Sequence, residues 1–184
     1  MEEMDFEEAV KNYYEPMYRF GLSLTHNEDD ASELAQESFL RYAEKGSSLR
    51  DKTKTKSWLF TTLYRVFLGW KRREARLPHF EISTVEHELP SIAPTAIEEM
   101  DAKRVVAALF KLEEHYRAPL ALYYLESHSY GEISEILGVP PGTVMSRLSR
   151  GKAMLRQMLL REDQRDARRI DPLDPGQAPK ERLR

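Results

Sequence analysis

The feature that most restricts the fold of this chain is the pattern of residues between positions 129 and 152. Ser129 and Glu132 have the spacing of a capping box, in which each side chain accepts a hydrogen bond from the backbone N–H of the other residue. Gly138 stands where a short helix would end, and Pro141 suits the first turn of a following helix, where a missing N–H costs nothing. A short capped helix, a glycine turn and a second helix predict a helix-turn-helix.

The second helix of that pair divides into an apolar and a polar face when its residues are spaced at about 100° each. The residues expected to point into the core are Val144, Leu148, Gly151 and Leu155. Those on the opposite face are Ser146, Ser149, Arg150 and Ala153. Small polar side chains and an arginine allow a helix to lie deep in a major groove and reach base edges. Residues 141–161 hold five basic and no acidic residues, which favours DNA reading over a merely solvated face.

The first half of the chain shows three further helical patterns. Apolar residues recur at steps of three and four over 6–24, as they do in an amphipathic helix. Asn27 is an N-cap candidate for a second helix over 28–45, and Gly46 stands at its predicted C′ position. A third helix, predicted over 57–76, is apolar or aromatic on nearly all sides before it ends in a basic run. Such a helix is usually buried between its neighbours, although aromatic surface beside Lys and Arg also suits unstacked bases.

These patterns predict an all-α fold of two small helical domains joined by a flexible linker, the second being a helix-turn-helix DNA-binding domain. The predicted parts are an N-terminal domain at 1–76, an acidic linker at 77–96, a C-terminal domain at 97–161 and a tail at 162–184. The linker has three prolines and neither Lys nor Arg. Helical pattern resumes near Ile97, and a short helix is expected over 118–126. The tail mixes charges with three prolines, so we expect it to be disordered.

Composition excludes several functional classes. Without cysteine the chain cannot form a disulfide framework, a thiolate metal site or a cysteine nucleophile. The five histidines are isolated from one another, and no glycine-rich phosphate loop is present. We therefore expect no enzyme, no cofactor and no metal, and we interpret His128 as a surface or contact residue. No stretch is long and apolar enough to span a membrane, and the acidic N-terminus is unlike a secretory signal. These features predict a cytoplasmic protein without membrane insertion.

The charges are unevenly distributed. The first 50 residues carry five basic and twelve acidic side chains, whereas 51–80 carry eight basic and two acidic ones. With 141–161, the chain therefore has two basic islands, which indicate either two separate contacts with a polyanion or two solvated helix faces.

Particular residues of both halves resemble a known family. Gly142-Thr143-Val144 followed by Ser146-Arg147-Leu148, within 130–152, resembles the −35-reading domain of bacterial sigma-70 family sigma factors, and most closely the two-domain extracytoplasmic-function (ECF) type. The segment 29–39 is similar to the sigma helix that docks on core RNA polymerase. Trp58-Leu59 with the basic run downstream resembles the −10 helix. The resemblance covers about residues 10–76 and 100–160, in the family's order.

The resemblance implies a stress-response transcription initiation factor. Its implied partners are core RNA polymerase, duplex −35 and single-stranded −10 promoter DNA, and an anti-sigma factor. The residues implied at the −35 element are Thr143, Met145, Ser146, Arg147, Ser149, Arg150 and Lys152. Those implied at the −10 element are Lys52, Lys54, Lys56, Trp58, Tyr64, Arg65, Lys71, Arg72 and Arg73. Those implied in polymerase docking are Asp29, Asp30, Glu33, Leu34, Gln36, Glu37 and Phe39.

Three residues depart from the family pattern, and one alternative function stays open. Met145 replaces a basic residue, while Val66 and Gly69 stand where the family commonly has Asn and Asp. The alternative is a stand-alone helix-turn-helix regulator whose first domain senses a ligand or dimerises. Such a regulator would bind duplex sites by itself, usually as a dimer on paired half-sites.

Overall fold

The computed structural model describes residues 6–46, 49, 51–76 and 96–170, and within the last range the side chains of 103–164 only. The helices of these residues are α1 (Phe6–Thr25), α2 (Glu28–Lys45), α3 (Thr55–Glu74), α4 (Ala96–Phe110), α5 (Glu114–Leu120), α6 (Tyr130–Leu137) and α7 (Pro141–Ile170). A 3₁₀ turn, Lys52–Lys54, precedes α3, and a π-helical segment, Ala121–Leu125, follows α5. No strand occurs among the described residues, so the predicted all-α fold is confirmed.

The helices of the first half pack around an apolar centre. Met17 and Phe20 of α1 are fully buried, as are Leu34 of α2 and Leu59 and Leu63 of α3. The predicted N-cap of α2 is present, because Asn27 Oδ1 accepts a hydrogen bond of 3.0 Å from the backbone N–H of Asp30. Side-chain capping and burial of one helical face therefore define this half, as the periodicity predicts.

The glycine after α2 has a different role from the one predicted. Gly46 has a φ of −63°, in the right-handed region, so it does not form the left-handed C′ residue of a helix end. A Cβ at this position would lie only 2.7 Å from Cε2 of Tyr42. Glycine is required here by the close approach of an aromatic ring to the backbone.

The helix-turn-helix forms as predicted. Ser129 Oγ accepts from the backbone N–H of Glu132 at 3.3 Å, and Glu132 Oε2 accepts from the backbone N–H of Ser129 at 2.8 Å. Gly138 has a φ of 65°, which favours glycine, and Pro141 is the first residue of α7. On α7, Val144 is fully buried, and Gly151 lies so close to α5 that a Cβ there would meet Leu120 Cδ1 at 2.8 Å.

α3, predicted over 57–76, begins and ends two residues earlier, and two other helices differ more from their predicted bounds. α5 begins at Glu114, four residues before the predicted start at 118. The prediction missed this first turn because its residues are polar. In the structure, Arg117 is buried there and donates hydrogen bonds to the backbone carbonyls of Phe110 and Leu112. α7 continues to Ile170, nine residues into the segment predicted to be a disordered tail. Lys111, the residue after α4, pairs with Glu162 at 2.8 Å, and Arg104 of α4 pairs with Asp163, so charge pairs rather than apolar periodicity stabilise this extension.

The two halves pack directly against each other. A single cluster of buried residues includes Phe20 and Phe60 from the first half and Ile133 and Val144 from the second. The main contacts between the halves join α3 to α6 and α1 to α5 and the π-helical segment. The predicted linker lies outside the described residues apart from Ala96, the first residue of α4, as does the part of the tail after residue 170.

Candidate nucleic-acid and polymerase interfaces

The outward face of α7 presents most of the residues implied at the −35 element. Ser146, Ser149, Arg150 and Lys152 are exposed, as is Met145, whose side chain is 56% exposed. Thr143 and Arg147 lie at the edge of this face and are half-buried. Ser146 Oγ donates to the carbonyl of Thr143 at 3.0 Å, which leaves the oxygen lone pairs of the serine to the outside.

The buried positions of α7 lie on one side of the helix, which leaves the opposite side exposed to solvent. Val144 and Leu148 are buried and Leu155 packs against the core, as the spacing of about 100° per residue requires. The face opposite them carries no carboxylate between 141 and 161. This surface can donate hydrogen bonds to base edges from Arg150 and to phosphates from Lys152.

The cations implied at the −10 element fall into two sets. Lys54, Arg65, Arg72 and Arg73 are exposed to solvent on and before α3. The other three engage protein groups, although the Lys71 side chain is also 53% exposed. Lys52 Nζ donates to the carbonyl of Gly46 at 3.2 Å, Lys56 Nζ to the carbonyl of Glu126 at 2.6 Å, and Lys71 Nζ to Glu114 Oε2 at 2.5 Å. The last two contacts reach into the second half of the chain.

The aromatic residues of α3 serve chiefly as core. Phe60 and Phe67 are buried, and the half-buried Trp58 ring lies 5.7 Å from the ring of Tyr42. Tyr64 is half-buried as well, and burial, followed by the nearby Glu114 carboxylate, raises the pKa of its hydroxyl. Burial between neighbouring helices, one of the two interpretations open from the sequence, therefore describes most of these side chains.

The two departures on α3 are structurally different from each other. Val66 is only 2% exposed and belongs to the core, so this chain has an apolar side chain where the family pattern has an amide. Gly69 has no heavy atom within 4 Å of the point where a Cβ would stand. Nothing in the packing of α3 explains a glycine at that position.

The residues implied in polymerase docking are divided between the surface and the core of the first half. Asp29, Asp30, Glu33 and Gln36 are exposed along α2. Leu34 is fully buried and Phe39 is 5% exposed. These two side chains therefore hold α2 against the core and cannot themselves contact the polymerase.

The half-buried Glu37 already has partners within the first half. Arg41 Nη2 lies 2.5 Å from Glu37 Oε1, and Trp70 Nε1 donates to Glu37 Oε2 at 3.3 Å. Glu37 therefore ties α2 to α3 and is less available to a partner than its exposed neighbours.

Leu40 is an exposed residue that the sequence reasoning missed. Its side chain is 61% exposed, although it is a large apolar residue on a helix with a well-formed buried stripe. Positions 29, 33, 36 and 40 are separated by four, three and four residues, so Leu40 shares one helix face with Asp29, Glu33 and Gln36. In the sequence, the position of Leu40 outside the apolar stripe of α2 could have identified it as an exposed contact residue.

Of the two interpretations of His128, a surface residue or a contact residue, the surface alternative is wrong, because its side chain is fully buried. Its ring packs edge-on against Phe60 of α3, with 4.7 Å between the ring centroids. Neither ring nitrogen has a hydrogen-bond partner among the described residues, and Glu132 Oε1 lies 3.8 Å from Nδ1. Burial, reinforced by the nearby Lys56 ammonium, lowers the pKa of His128 to about 4.

The described residues contain neither a metal-ligand cluster nor a helix that could span a membrane. Over these residues, no three histidine, aspartate or glutamate side chains gather as metal ligands would. No helix there has the length and apolar character needed to cross a membrane.

Comparison with known protein families gives one match for each half. The family described as "Sigma-70 region 2" matches residues 9–77, and the family described as "Sigma-70, region 4" matches residues 102–155. The matches occur in the order that the resemblance in the sequence implies.

Two relatives that match most of the chain are named ECF RNA polymerase sigma factors. The ECF RNA polymerase sigma factor SigE of Mycolicibacterium smegmatis is 30% identical over 166 residues, which cover 88% of this chain and 64% of that protein. The chain thus spans slightly less than two thirds of that relative's length. The ECF RNA polymerase sigma factor EcfG of Rhodopseudomonas palustris is 30% identical over 140 residues, covering 76% of this chain and 77% of that protein.

A solved structure shares the fold. The sigma factor RpoE of Bartonella quintana, in complex with the anti-sigma factor NepR, matches with a TM-score of 0.69 at 24% sequence identity. The match covers 85% of this chain and 98% of that chain.

Proposed function

Because the chain belongs to the extracytoplasmic-function group of sigma-70 family RNA polymerase sigma factors, we propose that three of its surfaces share the work of promoter recognition. Members of this family are transcription initiation factors, and this chain directs RNA polymerase to promoters. The observation that carries the assignment of surfaces is the exposed, carboxylate-free face of α7, supported by the family match to each half.

The first surface is the outward face of α7, placed in the major groove of the −35 element. Ser146, Ser149 and Arg150 face the base edges, and Thr143, Arg147 and Lys152 hold the phosphates on either side. Met145 offers an apolar contact, for which the C5-methyl group of thymine is the complementary base feature. The C-terminal domain at 97–161 carries this surface, and α7 beyond it pairs with Arg104 of α4 and with Lys111, the residue after α4.

The second surface is the basic side of α3 together with the turn before it. Lys54, Arg65, Arg72 and Arg73 are exposed and attract the phosphates of the −10 strand. Lys52, Lys56 and Lys71 add three cations to this set, while the half-buried Trp58 and Tyr64 offer the exposed part of their rings for stacking with an unstacked base. The N-terminal domain at 1–76 carries this surface, and residues 77–96 link it to the −35 reader.

The third surface is the exposed side of α2, which docks on core RNA polymerase. Asp29, Asp30, Glu33 and Gln36 supply polar contacts, and Leu40 supplies the apolar anchor that such interfaces usually contain. Leu34, Glu37 and Phe39 hold the helix in position. The chain itself performs no chemistry, because the polymerase forms the phosphodiester bonds.

An anti-sigma factor and a cytoplasmic location complete the proposal. The similar structure of the Bartonella quintana sigma factor contains a bound anti-sigma factor, which supports a partner of that class here. RNA polymerase and promoter DNA lie in the cytoplasm of a bacterium, so a factor that binds both acts there.

Run-off transcription tests this proposal. Sigma-free core polymerase, the purified chain and DNA fragments from upstream of its own gene should yield discrete transcripts that require the chain. A footprint made by the chain alone on a duplex site, with no chain-dependent transcript, would instead identify a stand-alone regulator.

A further inference from the structure

Met145 is the one methionine among the described side chains that is exposed to solvent. It is 56% exposed, whereas Met17 is fully buried and both Met154 and Met158 are half-buried against the core. The chain contains seven methionines and no cysteine, so thioethers are the only sulfur groups that it offers to an oxidant. Because oxidation of sulfur in proteins follows its exposure, Met145 is the described thioether that a dissolved oxidant reaches first.

The side chains beside Met145 on α7 are too small to cover its sulfur. Gly142 precedes it by three residues and Ser149 follows it by four, so both are its neighbours on the helix surface. Gly142 has no heavy atom within 4 Å of the point where a Cβ would stand, and Ser149 is exposed. The thioether therefore stands open to solvent on this side of α7.

Met145 lies among the residues that we assign to the −35 element. At about 100° per residue, Lys152, Met145 and Ser149 follow one another around α7 within about 60°. Lys152 is assigned to phosphate and Ser149 to base edges, so the thioether stands between a phosphate contact and a base contact in angle. A chemical change at this sulfur is therefore made within the DNA-reading surface.

Oxidation reverses the contact that this position prefers. A thioether is apolar and packs against the C5-methyl group of thymine without needing a hydrogen bond. A sulfoxide is polar, and burying its oxygen against that methyl group costs desolvation that no donor offsets. The Ser149 hydroxyl, four residues further along, is a donor that the sulfoxide oxygen can engage, which withdraws this hydroxyl from the bases.

We propose that Met145 is an oxidation site, at which a peroxide converts the thioether to a sulfoxide and so weakens binding of −35 DNA by α7. The sulfur lone pair attacks one peroxide oxygen, and an S–O bond forms as the O–O bond breaks. The proton of the transferred oxygen passes to the leaving hydroxide, which departs as water. Sulfur is thereby oxidised by two electrons and the peroxide is reduced by two. A methionine sulfoxide reductase, supplied with a thiol, returns the thioether. This inference rests on the proposed assignment of Met145 to the −35 surface.

Peptide mapping by mass spectrometry tests the site itself. The full chain is treated with hydrogen peroxide under native conditions, and sulfoxide is quantified at each methionine over time. We expect sulfoxide to accumulate at Met145 about tenfold faster than at Met154 and Met158, because those two are half-buried. The helical circular dichroism spectrum should not change over this period.

Binding of holoenzyme to a promoter fragment tests the consequence. The treated chain is freed of peroxide, combined with sigma-free core polymerase and titrated against the fragment from upstream of its own gene that gives chain-dependent transcripts. We expect about tenfold weaker binding than with the untreated chain, an effect like that of one wrong base pair. Incubation of the treated chain with methionine sulfoxide reductase and dithiothreitol should restore the affinity.

Two leucine variants identify the methionine responsible. Met145→Leu has an apolar side chain of similar volume that takes up no oxygen, so peroxide should leave its own affinity unchanged. This variant also controls for Met1, Met4 and Met100, whose side chains lie outside the described residues. The matched control is Met154→Leu on the same helix, which should lose about tenfold on treatment, as the wild type does. Met145→Gln, with a polar amide at this position, should bind more weakly without any peroxide.

Three results would overturn the proposal: oxidation of Met145 no faster than that of the half-buried methionines, unchanged affinity of chain oxidised at Met145, or an equal loss in treated Met145→Leu. The proposed function is tested separately by the untreated chain. If the untreated chain yields no transcripts, the proposed function fails and this inference fails with it. If it yields transcripts and oxidation leaves promoter binding unchanged, only the oxidation site is wrong.

Discussion

Arg150 is the single residue on which −35 sequence reading depends most. It is exposed on the outward face of α7, opposite the buried Val144 and Leu148, and its guanidinium can pair with two acceptors of one guanine. We predict that Arg150→Ala weakens binding of holoenzyme to the promoter by about 1–3 kcal/mol and relaxes specificity at one −35 position.

Lys152 is the matched control for this prediction, since it is exposed on the same helix and assigned to phosphate. Lys152→Ala should weaken all promoter sequences alike and reduce the salt slope by about 1. Competition binding against every single-base change of the −35 element measures both effects. A uniform loss across sequences for Arg150→Ala would make Arg150 a phosphate contact.

His128 makes the folded chain sensitive to acid. The groups that face it are Phe60, Lys56 and Glu132, and burial with Lys56 lowers the pKa of His128 to about 4, against about 6.5 in an unfolded chain. Below pH 6.5 the unfolded chain therefore takes up a proton that the folded chain refuses. We predict that His128 destabilises the fold by at most about 3 kcal/mol as the pH falls from about 6.5 to about 4, with its full contribution to stability kept above pH 6.5.

Urea unfolding across that pH range checks the prediction. His128→Leu should make this part of the stability curve shallower without flattening it, because burial and the Arg117 guanidinium lower the pKa of His26 to about 4 as well. Parallel curves for wild type and His128→Leu would show that another group causes the loss.

At the scale of the element, α2 has one face that packs against the core and another that is exposed for contact with the polymerase. Leu34 lies inside and Leu40 lies outside, six residues further along. We predict that Leu40→Ser weakens binding to core polymerase by roughly 1.5–3 kcal/mol, the value of burying a leucine at an interface, with the thermal midpoint nearly unchanged. Leu34→Ala should instead lower stability by about 2–5 kcal/mol. Titration of labelled core polymerase measures the loss of binding, and thermal unfolding measures the loss of stability. If Leu40→Ser binds polymerase as tightly as the wild type does, Leu40 is not part of the docking face.

α3 contains a glycine that packing does not require. We predict that Gly69→Ala stabilises the chain by about 1 kcal/mol, because alanine loses less backbone entropy in a helix and meets no atom there. Gly151→Ala is the contrasting variant, since its Cβ would lie 2.8 Å from Leu120 Cδ1 and should cancel or reverse that gain. Urea unfolding measures both; a destabilised Gly69→Ala would mean that α3 bends or packs differently around residue 69.

Elements with a local cause could be predicted from the sequence, and those with a distant cause could not. The capping box at Ser129, the left-handed Gly138 and the buried Val144 depend on neighbours within a few residues. Gly46 could be recognised as special, but the reason is the Tyr42 ring above it, which only the folded chain shows. The polar first turn of α5 and the extension of α7 depend on hydrogen bonds and ion pairs to other elements, which apolar periodicity does not detect.

At the scale of the whole molecule, the sequence predicts two domains but not how they meet. Arg19, Glu126 and Arg117 look like ordinary surface charges along the chain, because a side chain's type does not reveal a partner a hundred residues away. The same holds for His128, whose burial depends on Phe60 of the other half. The family pattern implies the site residues, and the structure adds which of them are exposed, which are core, and which are bound to groups of the other half, as Lys56 and Lys71 are.

Footprinting of one promoter fragment by the holoenzyme, and in parallel by the chain without polymerase, tests the central claim most directly. We predict protection of both the −35 and −10 elements by the holoenzyme, with unpaired −10 bases, and no protection of the duplex by the chain alone. Protection of a duplex site by the chain alone, with none added by polymerase, would contradict the account.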